Sequence, residues 1–393
     1  MKKFYCVVGA NFGDEGKGLV TDWLAYGKKN CLVVLHNGGA QRGHTVSTAD
    51  GKRHVFRHMG AGTFAGADTW FAKEFIVNPI AFRMEYEELC RTMIVKPKVY
   101  VDPRCKITTA YDMLINQVIE FDRGINKHGS CGYGVYETLR RNQNGIAFKD
   151  MDDIKKYYPD AMTFGEFKAL GYIDKYNFLK YLRDTYVRRR LDEIGIKKID
   201  PLYENVLNSH DVIKNYIDDF EFMAGIVEVI DEEVINKYDN VIFEGGQGLL
   251  LDQKNEAYFP HLTPSNTGLD NPIAIIKDAV AGDAMVYTYY VTRTYMTRHG
   301  VGRLDKEVKK EAINPEMVDY TNVPNPFQNT LRYGYIDITE LKIRMMEESE
   351  KLRQAGFFYQ DNLVVTHVNE YVNPRLESLA QFTSNKTTRE GVK

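Results

Sequence analysis

The sequence predicts an α/β fold with a large, mainly parallel central sheet and flanking helices, and three observations carry that reading. Cys31–Leu35 is apolar at every position, the mark of a strand buried on both faces of a parallel sheet. Residues 241–243, 285–291 and 363–365 are further buried-strand runs, and each gives way to small or polar residues: EGGQG, TRTYMTRHG and THVN. Residues 4–8, β-branched and aromatic, run into a glycine-rich loop, after which Leu19, Val20, Trp23 and Leu24 recur at helical spacing.

The chain therefore opens strand, glycine loop, helix, strand. HTVSTADGKRHVF follows and alternates around Asp50-Gly51, a strong short-range hairpin signal. Residues from about 150 to 225 are charged, tyrosine-rich and helical in pattern, so a helical insertion is expected there, within one domain spanning residues 1–393. Asp337 and Glu340 have capping-box spacing and open a helix expected to run through about Leu352. In an open parallel sheet, ligands bind beyond the carboxyl ends of the strands. The polar loops that end the buried runs are thus the expected site.

With 393 residues, 44% hydrophobic and 27% charged, the composition is that of a globular protein with a large core. A net charge of −3 excludes a global basic field for nucleic acid or membrane, so a polyanionic ligand must be held locally. No stretch reaches the ~20 apolar residues of a membrane helix. The apolar run in MKKFYCVV is shorter than a secretory signal needs. Cys6, Cys31, Cys90, Cys105 and Cys131 are odd in number and lack C-x-x-C spacing, as expected of unpaired thiols in the cytoplasm.

The loop from Gly9 to Gly18 contains Gly13-Asp14-Glu15-Gly16-Lys17-Gly18. Glycines between a strand and a helix let backbone N–H groups face a phosphate, and the helix N-terminus adds favourable potential. Lys17 supplies a point charge for the same oxygens. The loop is not a Walker A motif, because Asn11 stands where the first glycine belongs and Gly18 follows the lysine. A switch GTPase is disfavoured on that ground. Asp14 is the informative residue, since a carboxylate beside phosphate-binding amides is repelled unless it holds a metal or moves a proton.

Gly13 to Gly18 resembles the signature loop of adenylosuccinate synthetases, and four later segments continue the resemblance in order. Gly38-Gly39-Ala40-Gln41-Arg42-Gly43-His44-Thr45 is similar to the second motif of that family, and Phe243-Glu244-Gly245-Gly246-Gln247-Gly248 to its Glu-Gly-Ala-Gln-Gly segment. Ser265-Asn266-Thr267 resembles its Ser-Ser-Asn-Thr, and Thr297-Arg298 with Gly300 and Gly302 its Thr-Arg-x-Gly-x-Gly loop.

The resemblance implies a ligase that joins L-aspartate to C6 of a purine nucleoside monophosphate, IMP or dIMP, through a 6-phosphoryl intermediate. It implies Asp14 as the base that takes the N1 proton and His44 as the general acid near O6. Lys17 would neutralise the transferring phosphoryl group, and Mg²⁺ would sit on Asp14 and the Gly43 carbonyl. Phosphate and nucleotide contacts are implied for Gly13, Glu15, Gly16 and Gly18, and for Gln41, Gly43, Thr45, Gln247 and Thr267. Ser130 and Cys131 stand where the family has paired threonines. Arg140 and Arg141, after Tyr136-Glu137, resemble the segment that sends an arginine into the neighbouring subunit of a homodimer.

Two places depart from the family pattern. The arginine-rich stretch that clamps the aspartate carboxylates reads Gln328-Asn329-Thr330-Leu331-Arg332 here, leaving Arg332, with Arg298 and Arg303, as the expected clamp. The guanine-reading Thr-Lys-x-Asp reads Thr366-His367-Val368-Asn369, and Ser384 lies in the region of the family's second base loop. A carboxamide accepts and donates, which suits adenine, so ATP or dATP stands beside GTP as donor. Both departures resemble a divergent bacteriophage branch that makes 2-aminoadenylosuccinate nucleotides from dGMP with ATP or dATP. Asp14, commonly serine in that branch, favours a hypoxanthine nucleotide instead. A catalytically inactive nucleotide-binding regulator is a third reading, against which Asp14, Lys17 and His44 stand together.

Overall fold

A computed structural model describes residues 1–93, 95–124, 129–142, 160–318 and 331–393. The strands in chain order are β1 (Lys2–Gly9), β2 (Cys31–Leu35), β3 (His44–Ser47), β4 (Arg53–Phe56), β5 (Asp68–Phe71), β6 (Val99–Val101) and β7 (Glu228–Val229). They continue with β8 (Asn240–Gly248), β9 (Ala284–Arg293), β10 (Met296–Arg298), β11 (Glu307–Val308), β12 (Arg332–Gly334), β13 (Phe358–Thr366) and β14 (Phe382–Thr383).

Nine of these strands form one sheet in the order β14-β13-β9-β1-β8-β2-β5-β6-β7. Every pairing in it is parallel, as the apolar runs predict. Strand alternation splits the core into two layers. Phe4, Cys6 and Val8 of β1 face one layer with Leu32, Val34 and Phe243, while Val7 faces the other with Val33, Leu35 and Ile242. The central strands β13, β9, β1, β8 and β2 end on one edge, which gathers the loops after residues 9, 35, 248, 293 and 366.

Helix α1 (Lys17–Ala25) follows β1, and all but one of its nine residues are buried. The hairpin pairs β3 with β4 around Asp50-Gly51, with His44 opposite Phe56. Gly18 is required where α1 meets this hairpin, because a Cβ there would lie 2.9 Å from His44 Cβ. Asp337 caps the helix Ile338–Ala355, accepting from the N–H groups of Thr339 and Glu340. That helix runs three residues past the expected end and stops at Gly356, in the left-handed conformation.

Helices α2 (Pro79–Thr92), α3 (Ala110–Arg123) and α4 (Val135–Asn142) cover one face. Residues 150–159 of the expected helical insertion lie outside the described residues. Beyond them, helices Phe164–Ala169, Tyr172–Tyr181, Val187–Glu193, Pro201–Asn208 and His210–Ile226 bury Phe167, Leu179, Tyr216 and Phe220 in the same layer as Phe82, Tyr111 and Ile115. The strongly helical pattern there makes a layer against α2 and α3, which also bonds to the loop after β6 through Phe164 N to Cys105 O at 2.8 Å and the Tyr216 hydroxyl to Thr108 O at 2.8 Å.

Arg141 is where this layer corrects the sequence expectation. Its guanidinium is fully buried, with Nε 2.9 Å from Asp112 Oδ1 and Nη2 2.9 Å from Asp112 Oδ2. It also donates to the carbonyls of Asp160 and Ile107, both at 2.6 Å. Asp112 meanwhile closes the capping box of α3 with Thr109. A guanidinium saturated inside its own subunit has no reach toward a neighbour, so Arg141 is a structural pin between α3 and α4. Removing one member of a buried ion pair strands the other, at a cost of about 3–5 kcal/mol. Arg141→Ala is therefore expected to lower unfolding stability by about that amount, measured by denaturant titration.

Candidate active site

The glycine loop is shaped by side chains that hold its carbonyls. Thr297 Oγ1 donates to Gly13 O at 3.0 Å, Arg293 Nε to Asp14 O at 2.5 Å, and Thr366 Oγ1 to Glu15 O at 2.8 Å. A trans peptide points each C=O opposite to the next N–H. Fastening three successive carbonyls outward thus turns the N–H groups of Asp14, Glu15 and Gly16 the other way. None of the three donates to a protein acceptor among the described residues. Three convergent N–H groups at the start of α1 form an anion-binding nest. The twist that permits it is visible in φ: 119° at Gly13, 57° at Asp14 and 93° at Gly16.

Lys17 opens α1 beneath this nest and is buried. Desolvation lowers its pKa, opposed by the carboxylates of Glu15 and Asp14. Burial conversely raises Glu15 to about 7, against the pull of Lys17 and of the Asn11 N–H, which donates to its Oε1 at 2.6 Å. Arg344, from helix Ile338–Ala355, grips the start of the loop through Ala10 O at 3.1 Å and Asn11 Oδ1 at 2.8 Å. Asp14 Oδ2 lies 3.4 Å from His299 Nε2, and the Asp14 carboxylate is partly exposed at the loop.

His44, first residue of β3, is set by a buried pair that sequence reasoning passed over. Its Nδ1 contacts Glu244, and Glu244 also accepts from Arg42 Nη2 at 2.8 Å and from Ala61 N at 3.0 Å. Glu244 is desolvated, yet Arg42, His44 and the Ala61 N–H bring it down to about 2, so it stays ionised. Burial, and then the charge of Arg42, bring His44 down to about 4. Glu244 and Arg42 Nη2, the latter at 2.7 Å, both occupy the Nδ1 side of the neutral ring, which leaves Nε2 as its free edge, buried with no hydrogen-bond partner. The available signal was the lone glutamate at the end of an apolar strand, facing an arginine two residues before the histidine.

Two amide side chains converge near Gly38. A Cβ at that position would meet Gln247 Nε2 at 2.9 Å and Gln41 Nε2 at 3.2 Å, and both amide oxygens are buried without partners. The Cys131 thiol donates to Gln41 O at 3.8 Å, which brings the segment before α4 to the same place, while Ser130 Oγ is held by Asn116 at 2.9 Å. The Thr45 hydroxyl is buried without a partner. Thr267 is less available, since its N–H and hydroxyl both bind Asp252 Oδ2, at 2.7 and 3.3 Å. Arg140 is half-exposed, 3.6 Å from Glu193.

The expected amino-acid clamp sits in a small antiparallel sheet. β10 and β12 pair with Arg298 directly opposite Arg332. Arg298 is stacked 4.4 Å from the Phe12 ring and holds His261 O at 2.8 Å, and its buried Nε has no hydrogen-bond partner. Burial, and then the charge of Arg332, lower it to about 10. Arg332 pairs with Glu307 and holds the Gly302 carbonyl at 2.7 Å. Arg303 is exposed and paired with Asp305 at 2.6 Å. Gln328, Asn329 and Thr330 lie outside the described residues. Of the expected donor-base residues, Asn369 is exposed, and Ser384 joins its turn through Val368 N to Ser384 O at 3.3 Å. Thr366 departs from expectation, because its hydroxyl is used on the Glu15 and Thr292 carbonyls.

The model of the adenylosuccinate synthetase family matches residues 6–349. The chain belongs to the adenylosuccinate synthetase family. Adenylosuccinate synthetases of Borrelia duttonii and Mesoplasma florum are 25% and 27% identical over 347 and 345 residues, in each case 86% of this chain and 72% of the relative. The solved, fully ligated adenylosuccinate synthetase of Plasmodium falciparum superposes with a TM-score of 0.61 at 18% identity, covering 92% of this chain and 76% of that one. Cyanophage S-2L succinoaminodeoxyadenylate synthetase, solved with dGMP and with dATP as energy donor, gives 0.64 at 16% identity, covering 100% and 95%. These two show the fold. Family membership makes the chain a carbon–nitrogen ligase of the adenylosuccinate synthetase type, with nucleotides as its substrates. Among the described residues no helix is long and apolar enough to cross a membrane.

His44→Ala is expected to lower kcat by about 10²-fold or more while the dissociation constant of the purine nucleotide changes little, the outcome for a side chain that acts mainly in the transition state. Steady-state kinetics with calorimetric binding checks it, and a change confined to KM would make His44 a binding residue.

Proposed function

We propose that this ligase joins L-aspartate to C6 of IMP or dIMP, with a nucleoside triphosphate as phosphoryl donor. The observation that carries the reading is the Asp14 carboxylate, partly exposed on the loop whose N–H groups form the nest and not spent on a lysine or arginine among the described residues. Hypoxanthine O6 is an inert leaving group until it is phosphorylated. Asp14 takes the N1 proton, O6 attacks the γ-phosphorus, and the nucleoside diphosphate leaves. The aspartate amine then displaces the phosphate at C6, and the proton from nitrogen leaves with it. His44 stabilises charge at O6 and donates a proton there, while Lys17 and the nest amides neutralise the phosphoryl oxygens. Asp14, rather than a smaller residue, favours a base without a 2-amino group, which would lie beside N1 in the space this side chain takes. A test panel pairs IMP, dIMP and dGMP with ATP and GTP, with aspartate present, and follows the ultraviolet spectrum. Turnover of dGMP alone would replace hypoxanthine with guanine in this reading.

Mg²⁺ fits the residues present. It takes one or two protein oxygens and otherwise phosphate and water; Asp14 offers a partly exposed carboxylate, and Gly43 is exposed. Among the described residues no three His, Cys, Asp or Glu side chains form a metal cluster of their own. When bound, Mg²⁺ neutralises and orients the substrate phosphates. Arg298, whose Nε has no partner, is the guanidinium proposed for the aspartate carboxylates, while Arg332 is spent on Glu307 and the Gly300 and Gly302 carbonyls and orders the loop beside it. Arg140, half-exposed on α4, is the member of its pair that can serve a neighbouring subunit of a homodimer.

Two outcomes test these assignments. Asp14→Asn nearly preserves shape but removes the base, so kcat is expected to fall by about 10²-fold or more. Near-normal turnover by a folded Asp14→Asn protein would refute the role of Asp14. For the donor, an amide at Asn369 can accept from adenine N6 and donate to N1 together, whereas guanine presents two donors. ATP or dATP is expected to support turnover at least as well as GTP. Asn369→Asp should shift preference toward GTP by about tenfold, or ~1.4 kcal/mol, in kcat/KM for the two donors.

A further inference from the structure

We propose that Arg293, Tyr295 and Glu370 are positioning residues that couple seating of the donor base to placement of Asp14. The inference rests on the reading above, in which Asp14 is the base and the turn at 366–369 reads the donor.

Arg293 ends β9 and is paired in register with Thr366, the last residue of β13. Its guanidinium is buried and serves two directions at once. Nε donates to Asp14 O at 2.5 Å, and Nη1 donates to the Tyr295 hydroxyl at 2.8 Å. That hydroxyl donates in turn to the carboxylate of Glu370, which is 4.0 Å from Arg293 Nη1. Glu370 directly follows Asn369, and its N–H closes the turn onto His367 O at 3.0 Å. Thr294 Oγ1 holds the same His367 carbonyl at 3.3 Å. His367 has φ 57°, as Asp14 does, so both ends of this chain of contacts are turns in an uncommon backbone conformation.

The guanidinium is a rigid planar fork, and a displacement at one bond changes the geometry of the other. Tyr295 is wholly buried, its ring 6.1 Å from the tilted ring of Tyr333, so it cannot swing to absorb the change. The Glu370 side chain is partly exposed, at 23%, which puts the outer end of the network where a purine beside Asn369 would order it. A seated donor thereby narrows the positions open to Glu370 and, through Tyr295 and Arg293, to the Asp14 peptide. Asp14 then meets the purine monophosphate already aimed. By linkage the two nucleotides strengthen each other's binding.

The experiment measures monophosphate affinity by calorimetry with and without a non-hydrolysable analogue of ATP, in the full-length protein. The analogue is expected to tighten binding by about tenfold in the wild type. In Tyr295→Phe, which keeps the ring and loses only the hydroxyl, that factor should fall below about twofold. Each separate affinity should stay within about twofold of the wild type, and kcat should fall by about tenfold with KM little changed. Glu370→Gln should behave alike, and Arg293→Lys, which keeps charge but not the fork, should lose more. If Arg293→Lys fails to fold, Tyr295→Phe and Glu370→Gln decide. Coupling of equal size in wild type and Tyr295→Phe overturns the network, as does a wild type with no coupling. If that happens while Asp14→Asn is inactive and Asn369→Asp switches donor, only this inference falls. If Asp14→Asn is active or Asn369→Asp leaves donor preference unchanged, the reading beneath it falls as well.

Discussion

The site depends on three hydrogen bonds that run away from it. Thr297, Arg293 and Thr366 hold the carbonyls of Gly13, Asp14 and Glu15, and the planarity of the peptide does the rest. A loop with φ of 57° at a non-glycine residue is an uncommon conformation that costs of order 1–3 kcal/mol unless its surroundings over-determine it. Three donors, from the ends of β9 and β13 and the middle of β10, supply that determination. These strands reach the loop because β9 lies between β1 and β13 in the sheet order. The phosphate-binding amides are therefore a product of sheet topology as much as of glycine content.

Charge placement follows from the same enclosure. Lys17, Glu15, Arg42 and Glu244 are all buried, and buried charges persist only when paired and hydrogen-bonded. Glu244 meets this condition with Arg42, His44 and the Ala61 N–H, which is why it remains ionised and can hold the His44 ring in place. Glu15 meets it less well: Oε1 is bonded and Oε2 is buried without a partner, and its pKa rises to about 7. The difference separates a carboxylate that orients a ring from one that answers to whatever charge occupies the nest.

Much of this was legible in the sequence, and what was not has a physical reason. Apolar runs predicted the strands because a strand buried on both faces admits few polar residues, and the parallel sheet placed their carboxyl ends together. Asp14, Lys17 and His44 were legible because their types are chemically unusual in a glycine loop and a hairpin. Glu244 stood in a recognisable segment, but its partner Arg42 is 202 residues away in the sequence and its effect depends on burial. Arg293 and Thr297 act through side chain-to-backbone bonds, which leave no spacing pattern. Arg141 misled for the same reason in reverse. A helix-end arginine reads as exposed until the fold brings Asp112 beneath it.

These distinctions bear on where the chain departs from the family pattern. Residues whose side chains bind loop carbonyls can change only if the replacement donates at the same point, because an unmet buried carbonyl costs about 1–3 kcal/mol and releases the nest. Thr366 is such a residue, and it matches the family. Asn369, three positions on, is exposed and bonded to none of those carbonyls. It can exchange a carboxylate for a carboxamide without disturbing the phosphate loop. The same contrast holds in the small sheet, where Arg298 is buried against Phe12 and holds His261 O, while Arg303 is exposed on the loop after it. Exposed positions such as Asn369 and Arg303 can thus vary over a centre that the backbone geometry holds constant.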